Sequence, residues 1–124
     1  MEKLVNFLAV GLGGAIGSMM RYGITLLAAA FNLSSAVGTL FVNVAGSFLI
    51  GLLTGCCKGQ TLFLLLSVGL CGGFTTFSTF SLQNFHFFQD SRIGLALLYI
   101  AGTVVVCILM SWLGYMLGQS RLTA

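Results

Sequence analysis

The chain has 124 residues, of which 58% are hydrophobic and only 6% are charged. A soluble domain carries roughly 25% charged residues, so this composition excludes a protein whose whole surface faces water. The formal net charge of +3 comes from scattered residues, which form no basic patch for nucleic acid. The composition therefore indicates an integral membrane protein, and the length is that of one domain.

Four apolar stretches follow one another along the chain, each near the roughly 20 residues that a membrane-spanning helix needs. They cover residues 4–31, 36–57, 61–88 and 93–118, and short polar connections join them. No proline occurs, so any helix break must come from glycine and side-chain hydroxyls. We predict an all-α, multi-pass protein of the cell (inner or plasma) membrane, with a single four-span domain over residues 1–124.

The basic residues give little indication of how the helices are oriented. With four spans, Lys3, Lys58 and Arg121 lie on one side of the membrane. Arg92 lies on the other side, and Arg21 lies within the first span. The positive-inside rule counts Lys and Arg near the ends of spans, and the difference between the two sides is small. We therefore predict that the chain inserts in both orientations.

Glycines recur at four-residue spacing, which lets helices approach closely in lipid. Two interpretations are open: packing within one chain, or packing between two chains. Because four short helices do not enclose a pore alone, we expect some of these pairs to form a dimer interface. The pairs are Gly13 with Gly17, Gly51 with Gly55, and Gly114 with Gly118.

A single amide interrupts the second predicted helix, where Asn43 stands between two valines. An amide offers two hydrogen-bond donors, which suits an ion pathway. The alternative is a hydrogen bond between helices, worth about 1 kcal/mol in lipid. The pattern leaves both interpretations open.

The third apolar stretch contains the segment GGFTTFSTFS, residues 72–81. A straight helix of about 28 residues extends about 42 Å, against a hydrocarbon core of about 30 Å. Tilt absorbs part of such an excess, and a break at Gly72-Gly73 is the other solution, because glycine tolerates the dihedral angles required. A break frees carbonyls, which suit a cation, and N–H groups, which suit an anion. We therefore predict a broken third helix with an ion site.

Phe77 and Phe80 stand three residues apart after the predicted break and share a helical face. They either face lipid and neighbouring helices, or turn their positive ring edges toward a small anion that has shed its water.

The fourth helix carries a polar residue at every fourth position. Single hydroxyls often bond to their own helix, but four in register predict a track that faces water or a pore. These residues are Tyr99, Thr103, Cys107 and Ser111.

Three segments together resemble the Fluc-type fluoride channels, also called the CrcB family, over nearly the whole chain. The first is GGAIG at residues 13–17 with Arg21-Tyr22, and the second is GTLFVN at residues 38–43 with Gly46. The third, GGFTTFSTF at residues 72–80, is highly specific. The order and spacing of all three make coincidence implausible.

The resemblance implies an antiparallel, dual-topology homodimer with two fluoride pores and a structural sodium ion at the dimer centre. It implies that the backbone carbonyls of Gly72 and Thr75 of both subunits hold the sodium. The remaining residues that it implies are Phe77 and Phe80 as a pore-lining phenylalanine box, Asn43 as a pore amide, Ser78 and Thr79 as nearby hydroxyls, Tyr99, Thr103, Cys107 and Ser111 as a polar track, and Arg21 as a basic residue near the pore entrance.

By this resemblance the chain is a passive, fluoride-selective channel, not an enzyme, and it confers fluoride resistance. Protonated fluoride crosses membranes as a neutral acid and ionises in the more alkaline cytoplasm, where it accumulates. A channel lets the anion leave because the negative cell interior pushes anions outward, and this needs no ATP. The implied partners are fluoride, a second copy of the chain and membrane lipid, with no nucleic acid.

Two residues depart from the family pattern. Cys107 stands where a serine is expected and is a weaker donor, and Gln83 stands where some members carry a glutamate.

The competing hypothesis is a small exporter of the multidrug-resistance type, which needs a carboxylate inside the membrane. The only acids here are Glu2 and Asp90, outside the predicted spans, which argues against it. A structural subunit of a larger complex would leave the hydroxyl run unexplained.

Overall fold

The computed structural model describes residues 1–123 and has four spans, each long and apolar enough to cross a membrane. Helix α1 is Glu2–Ala30 and α2 is Ser35–Cys56. The third span is divided into α3, which begins at Gln60 and ends at Phe74, and α4, Phe77–Gln89. Helix α5 is Ile93–Thr123. The described residues contain no strand, so the all-α, four-span architecture is confirmed.

Tight turns keep the polar connections short. Asn32, after α1, lies in the left-handed region with φ 55°, and the Leu33 N–H donates to the Ala28 carbonyl at 2.9 Å. Ser91, after α4, takes the same conformation with φ 58°. Such turns satisfy the last carbonyls of a helix. The predicted span boundaries differ from the observed ones by at most two residues, except that α5 continues to Thr123.

Close backbone contacts hold two pairs of helices together, α1 with α3 and α2 with α5. A β-carbon at Gly17 would lie 2.8 Å from the Phe74 backbone nitrogen, and one at Gly55 would lie 3.0 Å from the Gly118 α-carbon. Gly114 likewise faces the backbone of Phe48. All three predicted glycine pairs are therefore buried within the chain itself. The expectation that some of these pairs form a dimer interface is wrong, because another helix backbone already fills that face.

The interior of the folded chain is small, and its exterior is apolar. Few hydrophobic side chains are buried, among them Val42, Phe74 and Phe80, whereas large apolar side chains along α1 and α5 are exposed. Water would oppose such an arrangement, since burial of apolar surface is the main favourable contribution to folding. Lipid accepts it. The chain is a multi-pass membrane protein.

The third span is broken, but our prediction of a break at Gly72-Gly73 is wrong. Gly72 is helical, with φ −63° and ψ −38°, and the helix continues to Phe74. The chain becomes extended at Thr75 (φ −80°, ψ 157°) and Thr76 (φ −149°, ψ 115°). These angles are open to any residue, so glycine's freedom is not what the break uses. Gly73 serves close packing instead, because a β-carbon at this position would collide with the backbone of Gly14 on α1.

The part of α3 before the break is also irregular. It starts as an α-helix over Gln60–Phe63, widens into a π-helix over Leu64–Cys71 and tightens again over Gly72–Phe74. π-Helical turns are rare and often occur at functional sites. The π-helical segment and the end of α3 both contact α1 and α2.

Candidate functional site

A cavity of about 290 Å³ opens on the side of the subunit beside the break. Helices α2, α3, α4 and α5 all contribute to its wall. Among the described residues that line it none is charged, and hydroxyl, amide and thiol groups interrupt an apolar surface. Seven of the predicted site residues line this cavity: Asn43, Gly72, Thr75, Phe77, Phe80, Thr103 and Cys107.

The side chain of Asn43 bridges α2 to the break. Its Nδ2 donates to the Thr76 carbonyl at 3.0 Å, and the Thr76 N–H donates to its Oδ1 at 2.7 Å. The amide thus satisfies both backbone groups of a residue that no helix serves, as an irregular segment in a membrane requires. The interhelical interpretation of Asn43 is therefore realised. An amide has two donors, and Asn43 uses one of them within the described part of the chain. The other N–H of this cavity-lining residue remains for a ligand.

The end of α3 presents backbone carbonyls to the break. The Cys71 carbonyl accepts the Thr75 N–H at 2.9 Å and the Thr75 hydroxyl at 2.9 Å. The Gly73 carbonyl accepts Arg21 Nε–H at 3.1 Å. Within the described residues, the carbonyls of Gly72 and Thr75 receive no hydrogen bond. Two free carbonyls at the negative end of a helix fit a hard cation, which prefers oxygen ligands.

The start of α4 is capped by hydroxyl groups. Thr76 Oγ1 accepts the Thr79 N–H at 3.2 Å and lies 3.2 Å from both Ser78 Oγ and Thr79 Oγ1. This is an N-cap, in which a side-chain oxygen satisfies a free amide of the first turn. Ser78 and Thr79, predicted as hydroxyls near a pore, belong to this cap and do not line the cavity.

The two predicted phenylalanines form one aromatic wall. The Phe77 and Phe80 ring centroids are 5.6 Å apart, with the planes at 49°. Phe80 is 6% exposed and also contacts Tyr99, centroid to centroid at 5.0 Å. Phe77 is 76% exposed. One ring is thus fixed inside the subunit, while the other lies on its outer surface at the mouth of the cavity.

The polar residues of α5 do not act as one track within the subunit. Thr103 and Cys107 line the cavity, and the buried Thr103 Oγ1 has no hydrogen-bond partner among the described residues. Ser111 instead donates to the Ser47 carbonyl on α2 at 3.0 Å, and Tyr99 turns toward α4. The structure thus brings the middle two of the four residues into the cavity.

A buried hydrogen-bond network that sequence reasoning missed connects α2, α4 and α5. Gln83 Nε2 donates to Thr39 Oγ1 at 2.8 Å, and the Tyr99 hydroxyl donates to Gln83 Oε1 at 2.8 Å. The same hydroxyl lies 3.3 Å from the Ala36 carbonyl. The sequence feature that pointed to this network was Thr39. It stands four residues before Asn43 and therefore shares its polar helical face. The network holds Tyr99 behind Phe80.

Arg21 does not line the cavity. It is half-buried, and its guanidinium caps the end of α3 through the Gly73 carbonyl. A cation at the C-terminal end of a helix is favourable because the helix dipole is negative there. Arg21 was predicted to lie near a pore entrance. In the folded chain it lies beside the helix break.

Comparison with known proteins gives a consistent result. Residues 8–115 match the family model described as CrcB-like protein, Camphor Resistance (CrcB). The chain is 40% identical to the fluoride-specific ion channel FluC of Ruminiclostridium cellulolyticum, with 97% of each protein covered. It is 45% identical to FluC of Thermus thermophilus over 91% of this chain and 93% of the relative. It is 41% identical to FluC 1 of Listeria monocytogenes over 93% and 98%.

Proposed function

The chain belongs to the CrcB family, and on that premise we propose that it is a fluoride channel of the cell membrane, through which cytoplasmic fluoride leaves the cell passively. Family membership confirms the resemblance carried by residues 13–22, 38–46 and 72–80, and it assigns the chain to ion channels rather than enzymes. The observation that carries the proposal is the uncharged cavity at the helix break, where Phe77, Phe80 and Asn43 converge.

The chemistry of the cavity suits an anion that must give up water. Fluoride is small and tightly hydrated, so a pore has to replace its water with donors. The second N–H of Asn43, for which the described residues offer no acceptor, is one such donor. The buried hydroxyl of Thr103, which has no partner among the described residues, is another. The ring edges of Phe77 and Phe80 add positive potential. Because no fixed positive charge is found among the described residues that line the cavity, the anion is stabilised without being trapped.

The driving force for efflux is electrical. A potential of about 100 mV, negative inside, favours the exit of one anion by about 2.3 kcal/mol. Fluoride that entered as the neutral acid is therefore expelled without ATP. Continuous passage through the membrane lowers the cytoplasmic fluoride concentration, and the cell becomes resistant to external fluoride.

The functional unit that we propose is an antiparallel, dual-topology homodimer with two pores. The cavity is open on one side of the subunit, and Phe77 at its mouth is largely exposed, so a second copy would complete the wall. The near balance of basic residues between the two sides supports insertion in both orientations. Reporter fusions at the C-terminus test this: activity on both sides is expected, and a single orientation contradicts it.

We further propose that a structural sodium ion lies at the centre of the dimer, held by the carbonyls of Gly72 and Thr75 of both subunits. The support is that these two carbonyls have no donor among the described residues, although they stand at the end of α3. When bound, the ion would neutralise the negative ends of two helices. The protein contributes by holding these two carbonyl oxygens in position without hydrogen-bond donors from the described residues.

Growth on fluoride tests the proposed function in cells. A bacterial strain made sensitive by loss of its own fluoride exporter should grow at higher fluoride when it produces this protein. Phe80→Ile, produced at the same level in the membrane, should not restore growth. Equal sensitivity with and without the wild-type protein in the membrane contradicts the proposal, and protection against chloride salts or cationic drugs instead points to another transported species.

A further inference from the structure

Gly46 on α2 lies directly against the side chain of Thr75 at the helix break. A β-carbon at position 46 would collide with the Thr75 Cγ2 methyl and would lie 3.6 Å from Phe74 Cδ1. Gly46 is buried and lines the cavity. It differs from most of the packing glycines of this fold, such as Gly17 and Gly114, which face backbone atoms of a neighbouring helix. Here the glycine makes room for one side chain.

That side chain is fixed at both of its branches. The Thr75 hydroxyl donates to the Cys71 carbonyl at 2.9 Å, while the methyl group occupies the space above Gly46. A β-branched side chain has few χ1 rotamers, so holding both branches fixes the residue. The Thr75 backbone, including the carbonyl that receives no hydrogen bond from the described residues, is fixed with it.

Helix α2 therefore holds two successive residues of the break. Gly46 accommodates Thr75 by shape, and Asn43 binds the backbone of Thr76 by two hydrogen bonds. Residues 43 and 46 are three apart on a helix and share one face. The hydrogen bonds set the position of Thr76, and the space at Gly46 decides how closely Thr75 approaches α2.

We propose that Gly46 is a positioning residue for the cation site: the missing side chain at position 46 sets the place of the Thr75 carbonyl and thereby the affinity for sodium. The inference rests on the proposed function, because sodium at the Gly72 and Thr75 carbonyls is part of it. Gly46 itself does not coordinate the ion. Its effect passes through the Thr75 methyl group.

The test is a pair of substitutions that act on the same steric contact from opposite sides. Gly46→Ala introduces the collision with Thr75. Thr75→Ser keeps the hydroxyl that donates to Cys71 and removes the methyl group with which the new β-carbon at position 46 would collide. Gly94→Ala is the matched control, because a β-carbon at Gly94 meets nothing within 4 Å. The thermal unfolding midpoint of each purified protein is measured against sodium concentration, at constant ionic strength with choline.

Gly46→Ala should raise the sodium concentration for half-maximal stabilisation about tenfold, which corresponds to about 1.4 kcal/mol. Thr75→Ser combined with Gly46→Ala should restore the wild-type value, and Gly94→Ala should not change it. Fluoride efflux should show the same order of sodium dependence. If Gly46→Ala does not fold alone, the double variant should fold and bind sodium.

Two results overturn the inference: an unchanged sodium midpoint in Gly46→Ala, or a loss that Thr75→Ser does not reverse, including a double variant that does not fold. A third result, a wild-type midpoint that does not respond to sodium, contradicts the proposed sodium site itself and the inference with it. Fluoride efflux by that same protein would show that the channel function stands apart from the cation.

Discussion

The side-chain amide of Asn43 and the backbone of Thr76 pair through two hydrogen bonds, at 3.0 Å and 2.7 Å, in the manner of two adjacent β-strand residues. This pairing lies where the third span loses its helical hydrogen bonds. It joins α2 to the break and leaves one amide hydrogen of Asn43 at the cavity.

Asn43→Leu should therefore destabilise the folded subunit strongly. The substitution leaves the N–H and carbonyl of the buried Thr76 without partners, at a cost of about 1–3 kcal/mol for each group. Asn6→Leu is the matched control, because Asn6 accepts a single hydrogen bond from the Thr61 hydroxyl near the end of its span, worth about 0.6 kcal/mol. Unfolding in detergent measures both. Equal stability of the two variants would contradict the structural role of Asn43.

Phe80→Ile should abolish fluoride flux while leaving the proposed dimer intact. Isoleucine keeps an apolar side chain at this buried position but has no positive ring edge. The contacts with Phe77 and Tyr99 are also lost, at about 0.5–1.5 kcal/mol for each aromatic pair. Phe85→Ile is the control, since Phe85 is exposed and outside the cavity. Cross-linking reports the dimer, and flux at the wild-type rate in Phe80→Ile would refute the role of the ring edge.

Gly73→Ala should destabilise the fold of the chain, whereas Gly72→Ala should weaken the proposed dimer. A β-carbon at Gly73 meets the backbone of Gly14, whereas one at Gly72 meets nothing within 4 Å in the subunit. We expect Gly73→Ala to lower the stability of the fold by about 1–3 kcal/mol. Gly72→Ala should leave the fold intact and weaken the dimer, at whose centre the Gly72 carbonyl is proposed to lie. Denaturant unfolding and intersubunit energy transfer separate the two effects; a fold destabilised equally by both would contradict this account.

Tyr99→Phe should destabilise the protein without moving the ring from Phe80. Gln83 Oε1 loses the hydroxyl that donates to it at 2.8 Å, and a buried acceptor left without a donor costs about 1–3 kcal/mol. Tyr99→Phe and Gln83→Leu should together cost less than the sum of the two, by about 0.5–3 kcal/mol, because either one removes the shared bond. Tyr115→Phe, at an exposed hydroxyl, should change stability by no more than about 0.5 kcal/mol. Additive losses would show that the network is not coupled.

The four spans were predictable because lipid selects for a local property, an apolar run of sufficient length. The pairing of Phe77 with Phe80 on one helical face was predictable from their spacing, and a lone amide in lipid predicted that Asn43 needs a partner. Only the family resemblance placed these three residues in one site. These features depend on neighbours in sequence, and the structure brings all three residues to one cavity.

The position of the break was not predictable, because tertiary contacts decide it. Glycine's conformational freedom suggested Gly72-Gly73, but Gly73 is needed for contact with Gly14, and the Asn43 bridge stabilises extended backbone at Thr76 instead. The pairing of Gln83 with Thr39 spans 44 positions, and no local pattern joins two such residues. That all three glycine pairs pack within one chain was likewise not predictable, since the spacing is the same for contacts within a chain and between chains.

Fluoride efflux from liposomes that contain the purified protein tests the central claim most directly. Vesicles loaded with potassium fluoride are diluted into fluoride-free buffer, valinomycin carries the compensating potassium, and a fluoride electrode follows release. The account predicts fluoride release far faster than from empty vesicles, without ATP and with chloride retained. Fluoride release no faster than from empty vesicles, with chloride or drug cations moving instead, would contradict it.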